Sequence, residues 1–253
     1  MALLKFSGET KHLIYAIIVL SVVFAFNDGR ESFVFSLWAA NFIRTLILVS
    51  VVVMTFVLGV RLGSKLFNYR SEFSIWKLKK YFLSKDSNFP LELTLLDKKI
   101  LRINTLHMGV IISLFLAIVS NGTVFFTAIF TFFIKEKKKI GKERVYLKGF
   151  TEASIALISV FSIVVLIILF KLMGIQEGIK IASWFLLWNL IPIGPLLGSK
   201  ILFNSRTIYV GLLIFMILFL SIITIIPWLV SIIISGFFAV IALIIYFVKF
   251  EYK

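Results

Sequence analysis

The chain has 253 residues, a formal charge of +15 and no cysteine, and 60% of its residues are hydrophobic at a mean hydropathy of +1.07. A soluble globular domain is roughly 45–50% apolar and roughly 25% charged, against 15% charged here, so the bulk of this chain belongs in a lipid bilayer. The missing cysteines exclude disulfides, thiolate catalysis and cysteine-ligated metal, and with only His12 and His107 a histidine-rich metal site is excluded too.

About 20 apolar residues cross a hydrocarbon core. Residues 12–26 form the first such run, extendable toward Phe6; lacking a small-x-small cleavage site, it reads as a retained helix rather than a signal peptide. The polar turn at 27–32 follows, then a long apolar run over 33–67 that holds one tilted helix. Residues 68–104 are mixed, basic and aromatic, and do not span. Leu91, Leu93 and Leu95 alternate with Glu92 and Thr94 at strand period. Phe73, Ile75 and Trp76 beside Lys77, Lys79 and Lys80 suit a membrane interface. The segment reads as a topology-setting loop, as a small interfacial sheet, or as a polybasic site for anionic lipid.

Residues 106–134 are apolar again, broken by the turn dipeptide Asn121-Gly122. A basic block at 135–148 precedes apolar runs over 153–170 and 179–203, and Pro227 divides the last run, 208–248, into a helical hairpin. His107 sits at the start of the 106–134 run and reads as interfacial, and His12 carries no signal.

Charge sorts these runs. A basic pI is a footprint of nucleic-acid binding, but the lysines here lie between apolar runs, as in cytoplasmic loops; no nucleic-acid partner is expected. A single crossing by 106–134 would put the two basic blocks on opposite sides. A re-entrant hairpin over 105–134, turning at Asn121-Gly122, returns the chain to its starting side. The expectation is a single all-α transmembrane domain over 1–253, with about six spanning helices, the hairpin, a cytoplasmic interfacial β segment at 68–104, and both termini cytoplasmic.

Two stretches resemble the site-2 protease family of intramembrane zinc metalloproteases, particularly its archaeal members. Asn189-Leu190-Ile191-Pro192-Ile193-Gly194-Pro195-Leu196-Leu197-Gly198-Ser199-Lys200 is similar to the family's Asn-Leu-Ile-Pro-Ile-Pro-Pro-Leu-Asp-Gly-Ser-Lys. Val60-Arg61-Leu62-Gly63-Ser64-Lys65 stands where the family carries His-Glu-x-x-His, two imidazoles one helical turn apart with a glutamate to activate water. Tyr69, Glu72-Phe73 and Trp76 match a further family pattern, and a weaker match runs from Ile140-Gly141-Lys142-Glu143 to Gly149–Ala153.

The resemblance implies the fold and withholds its chemistry. Val60 and Ser64 occupy the histidine positions, Arg61 the glutamate, Leu197 the third ligand (an aspartate) and Ala153 an asparagine near the active site. Valine and leucine have no lone pair to donate, and an arginine beside the site repels zinc. No zinc or other cofactor is expected, and the reading is of a non-catalytic relative that binds a transmembrane segment or another membrane protein without cutting it. An active metalloprotease and a transporter or lipid-handling protein are the alternatives. The family points to a prokaryotic plasma membrane.

Two residue-level expectations follow. An Arg61–Glu152 ion pair fills the vacated metal site, or Arg61 snorkels to the interface while Glu152 caps its helix. In active relatives the segment with Asn189, Pro192 and Pro195 lines the substrate cleft; here it forms such a cleft or persists as a packing kink.

Overall fold

The computed structural model describes residues 8–27, 29, 34–76, 91–95, 98–103, 107–136 and 149–251. In chain order these form α1 (Gly8–Ala25), α2 (Phe35–Leu66), β1 (Tyr69–Ile75), β2 (Leu91–Leu95), β3 (Lys98–Ile103), α3 (Met108–Val119), β4 (Phe130–Glu136), α4 (Gly149–Leu172), α5 (Gln176–Leu190), α6 (Leu197–Leu202), α7 (Arg206–Ile222) and α8 (Trp228–Tyr246), closed by a π-helical turn, Phe247–Glu251. Helix dominates, and α1, α2, α4 and α8 are long and apolar enough to cross a bilayer, so this is a membrane protein. At 1.5 Å per residue the 32 residues of α2 extend about 48 Å, well beyond a hydrocarbon core of about 30 Å.

The centre of the bundle is the α2–α4 contact, and glycine makes it close. A Cβ on Gly59 would lie 2.6 Å from the Ser162 Oγ and 2.9 Å from the Ser159 Cα; one on Gly63 would lie 3.2 Å from the Ile155 Cα. This is small-xxx-small packing, which lets backbones approach where no hydrophobic effect drives helices together. Along α2, Phe56, Val60 and Ser64 recur at four-residue spacing and share the buried stripe. Phe56 meets Phe73 of β1, Phe130 of β4 and Phe185 of α5 edge-on at 6.2, 5.6 and 5.4 Å, so one ring joins four elements.

After α3 the chain reverses at Asn121 and Gly122, both at positive φ (50° and 71°), and the Gly122 N–H closes the turn on the Ala117 carbonyl at 2.7 Å. The return arm is extended. Ser113 Oγ donates to the Phe126 carbonyl at 2.6 Å, and Gly109 lets Ile129 lie against the helix. The arm becomes β4, which pairs antiparallel with β1 from Tyr69↔Glu136 to Ile75↔Phe130. Arg70 stands opposite Lys135, a repulsive pairing that Glu72 offsets diagonally through a 2.5 Å ion pair with Lys135.

Several sequence expectations change here. The strand period at 91–95 is β2, but it pairs with β3; the sheet that packs into the bundle joins β1 to the hairpin's return arm. Phe-Thr-Phe-Phe-Ile in β4 is aromatic and β-branched, which favours a pleated surface over a helix. Phe73 and Ile75 are buried core residues rather than interfacial ones. Residues Lys77, Lys79 and Lys80, and the 137–148 part of the second basic block with Ile140–Glu143, lie outside the described residues. The apolar run over 179–203 is not one helix: Pro192 disfavours helical geometry at Ile191, which is extended (φ −62°, ψ 131°), so α5 ends at Leu190 and α6 is a separate short helix. Pro227 divides α7 from α8, and Gly211 admits Leu243 at the contact between them.

Candidate functional site

The residues that the resemblance sets at zinc positions are packed shut. Val60, Ser64, Leu197 and Ala153 are all buried, the first on the α2 stripe that faces the core. The donor set does not fit zinc, since only Ser64 carries a heteroatom on its side chain, and that is a neutral hydroxyl. Among the described residues no group of three or more His, Cys, Asp or Glu side chains could hold a metal. Among the described residues the Ser64 Oγ is buried without a hydrogen-bond partner, as is the Trp188 Nε1.

The Arg61–Glu152 pair is not formed, and helical geometry gives the reason. Arg61 follows Val60 by about 100° around α2, so with Val60 turned inward its guanidinium points out, 54% exposed, and meets Glu9 of α1 at 3.0 Å. Glu152 has another partner. In the first turn of α4 it is ion-paired with the Lys200 ammonium of α6, whose side chain is only 10% exposed. The same ammonium lies over the Phe132 ring at 4.7 Å and the Phe133 ring at 5.6 Å, both from β4. One cation therefore ties α4, α6 and β4 together, held by a carboxylate and by ring quadrupoles in place of water.

Lys200 was legible in the sequence only as a motif residue in a basic turn. Its depth was signalled by Gly198: a Cβ there would lie 1.9 Å from the Leu190 carbonyl oxygen, so α6 presses directly on the end of α5 and carries Lys200 inward.

Asn189, Pro192 and Pro195 do not line an open cleft together. Asn189 is buried and its Nδ2 donates to the Phe185 carbonyl of its own helix at 2.8 Å. The carbonyls that the proline loop frees from helical bonding are largely taken. The Tyr209 hydroxyl donates to Leu190 O at 3.0 Å, the Thr131 hydroxyl to Pro195 O at 2.5 Å, and the Ser199 hydroxyl reaches Gly194 O and Leu196 O at 2.6 and 2.7 Å. The segment is a braced kink with an exposed tip at Pro192 and Ile193, backed by Trp76 against Gly194.

Comparison with protein-family models, with curated proteins and with solved structures gives no match to this chain.

Proposed function

We propose that this chain is a site-2-protease-like membrane scaffold without catalytic chemistry, which binds an extended or transmembrane segment of another membrane protein. Six crossings accommodate its helices: α1, α2, α4, the α5–α6 pair, α7 and α8. The 15 residues of α5 rise about 22 Å and reach across about 30 Å only with the kink and α6. The α3–β4 hairpin enters and leaves on the side of both basic blocks, which with the termini is cytoplasmic, in a prokaryotic plasma membrane.

The observation that carries the binding reading is the sheet. Among the described residues β4 belongs to a two-stranded sheet with β1, so one edge of each strand carries no described strand partner. Phe133 of β4 and Ile193 at the tip of the kink are large, exposed apolar side chains on neighbouring elements, since Thr131 bonds Pro195. An extended partner segment adds to such an edge through its main chain, with side-chain specificity from the flanking surface.

Photocrosslinkers at Phe133 and Ile193, in cells expressing the full chain, test this reading. Capture of a defined membrane protein that is recovered uncut supports it; capture of lipid alone, or a cleaved partner, removes it. Metal analysis of the purified protein separates the active-protease alternative, for which stoichiometric zinc is required.

A further inference from the structure

At the end of the bundle where α1 stops and α2 and α5 begin, a cavity of about 160 Å³ opens between the three helices. Phe24 and Asn27 come from α1 and its end, Asn41 and Thr45 from α2, and Glu177, Lys180 and Ile181 from α5. It lies far in sequence along α2 from Val60 and Ser64, and none of its residues belongs to the family motifs.

The polar groups of the cavity divide into satisfied and unsatisfied. The Asn27 amide donates to the Asn121 carbonyl at 2.8 Å and its oxygen accepts from the Gly29 N–H, so Asn27 is a finished wall. The Glu177 carboxylate is held by the Arg44 Nε at 3.0 Å. Lys180 has no carboxylate among the described residues; its ammonium stands 4.6 Å from the centre of the Phe125 ring. Thr45 is 5% exposed, and no hydrogen bond ties its hydroxyl or the Asn41 amide to a described residue. Elsewhere in α2, Ser50 and Thr55 bond back to the Leu46 and Val51 carbonyls at 2.6 and 2.8 Å.

The cavity is therefore lined by three groups able to donate, a lysine ammonium, a buried hydroxyl and an amide NH₂, the last two able to accept as well. With Glu177 neutralised by Arg44, the local charge is that of Lys180, one positive unit. A cavity of this size is below the roughly 300–1,000 Å³ of a drug-sized ligand site and holds one compact group. We propose that it binds a single phosphate group, carried by a phospholipid headgroup at the membrane surface or present as free inorganic phosphate. A phosphate takes all three donors at once with its several acceptor oxygens, and the ammonium makes one of the bonds charge-assisted.

Native mass spectrometry of the purified full chain tests this, first after exchange into phosphatidylglycerol-doped detergent and then with inorganic phosphate alone. One phosphate-bearing adduct per chain is expected, with affinity lowered about tenfold or more by Lys180→Ala, lowered less by Thr45→Val, and kept by Lys180→Arg. Phospholipid adducts identify the headgroup as the source, and adducts with inorganic phosphate only identify the free ion. No adduct with either probe, or adducts indifferent to Lys180→Ala in a chain of unchanged helical content, overturns the proposal.

Discussion

Lys200 of α6 and Glu152 of α4 form the most enclosed of the ion pairs joining described residues, with side-chain exposures of 10% and 24% against 54% and 23% for Arg61 and Glu9. The pair holds the start of α4 against the short helix that follows the kink, and Phe132 and Phe133 roof it from the strand. In a spanning protein a buried charge with a named partner marks a place where the chain cannot drift.

Breaking that pair is costly because it strands a carboxylate. Lys200→Met leaves Glu152 unpaired, with an expected loss of roughly 2–4 kcal/mol, at or a little below the range for fully buried pairs because Glu152 keeps some solvent. The double variant Lys200→Met/Glu152→Leu removes both charges and recovers most of it. Reversible unfolding in mixed micelles measures the difference; a double variant no better than the single one sinks the account.

Arg61→Ala is the control. Its pair with Glu9 is solvated and is expected to be worth no more than about 1 kcal/mol. A loss as large as that of Lys200→Met, in the same micelles, would show that Arg61 is a central charge after all.

The α2–α4 seam is predicted to be intolerant of a single methyl group. Gly59→Ala places a Cβ 2.9 Å from the Ser159 backbone, where nothing flexible can yield, and about 1–3 kcal/mol of overpacking is expected. Adding Ser162→Ala removes the Oγ clash but leaves the Ser162 Cβ and the Ser159 Cα at 2.9 Å, so it rescues only in part. Gly236→Ala on α8 meets nothing within 4 Å and should be neutral or stabilising by about 0.5–1 kcal/mol. Melting curves of the three variants rank them directly.

Asn189→Leu tests whether that asparagine serves a cleft. Its amide N–H is spent on its own helix and it is buried, so the equally branched but larger leucine should cost no more than about 1–3 kcal/mol of local overpacking and leave crosslinking at Ile193 intact. Loss of partner capture with an unchanged melting curve would assign Asn189 to recognition.

The absence of cysteine makes the threading testable on a clean background. Tyr69→Cys and Glu136→Cys stand opposite each other in the sheet and are expected to react with an impermeant maleimide from the same side, and Gly29→Cys from the other. Labelling of positions 69 and 136 from opposite sides would abolish the hairpin's shared register.

Much of the fold was written in local chemistry. Apolar runs gave the helices because their lengths answer to bilayer thickness, Asn121-Gly122 gave the reversal because only small or amide residues take positive φ readily, and Pro227 gave the last break. Leu91, Leu93 and Leu95 announced a strand by their period. The pairing of β1 with β4, distant in sequence, had no local signal, since register is settled only when two faces meet in the bundle.

The site divides the same way. Val60, Ser64 and Leu197 tell from the sequence alone that the side chains at these positions bring no metal-binding set, because donor atoms are a property of residue type. Which charges pair is a property of direction. Helical phase turned Arg61 outward to Glu9, and the pressing of Gly198 on Leu190 carried Lys200 inward to Glu152. Composition placed the chain in a membrane; only the tertiary structure decided which cation would be enclosed there, because burial depends on neighbours that are remote in sequence.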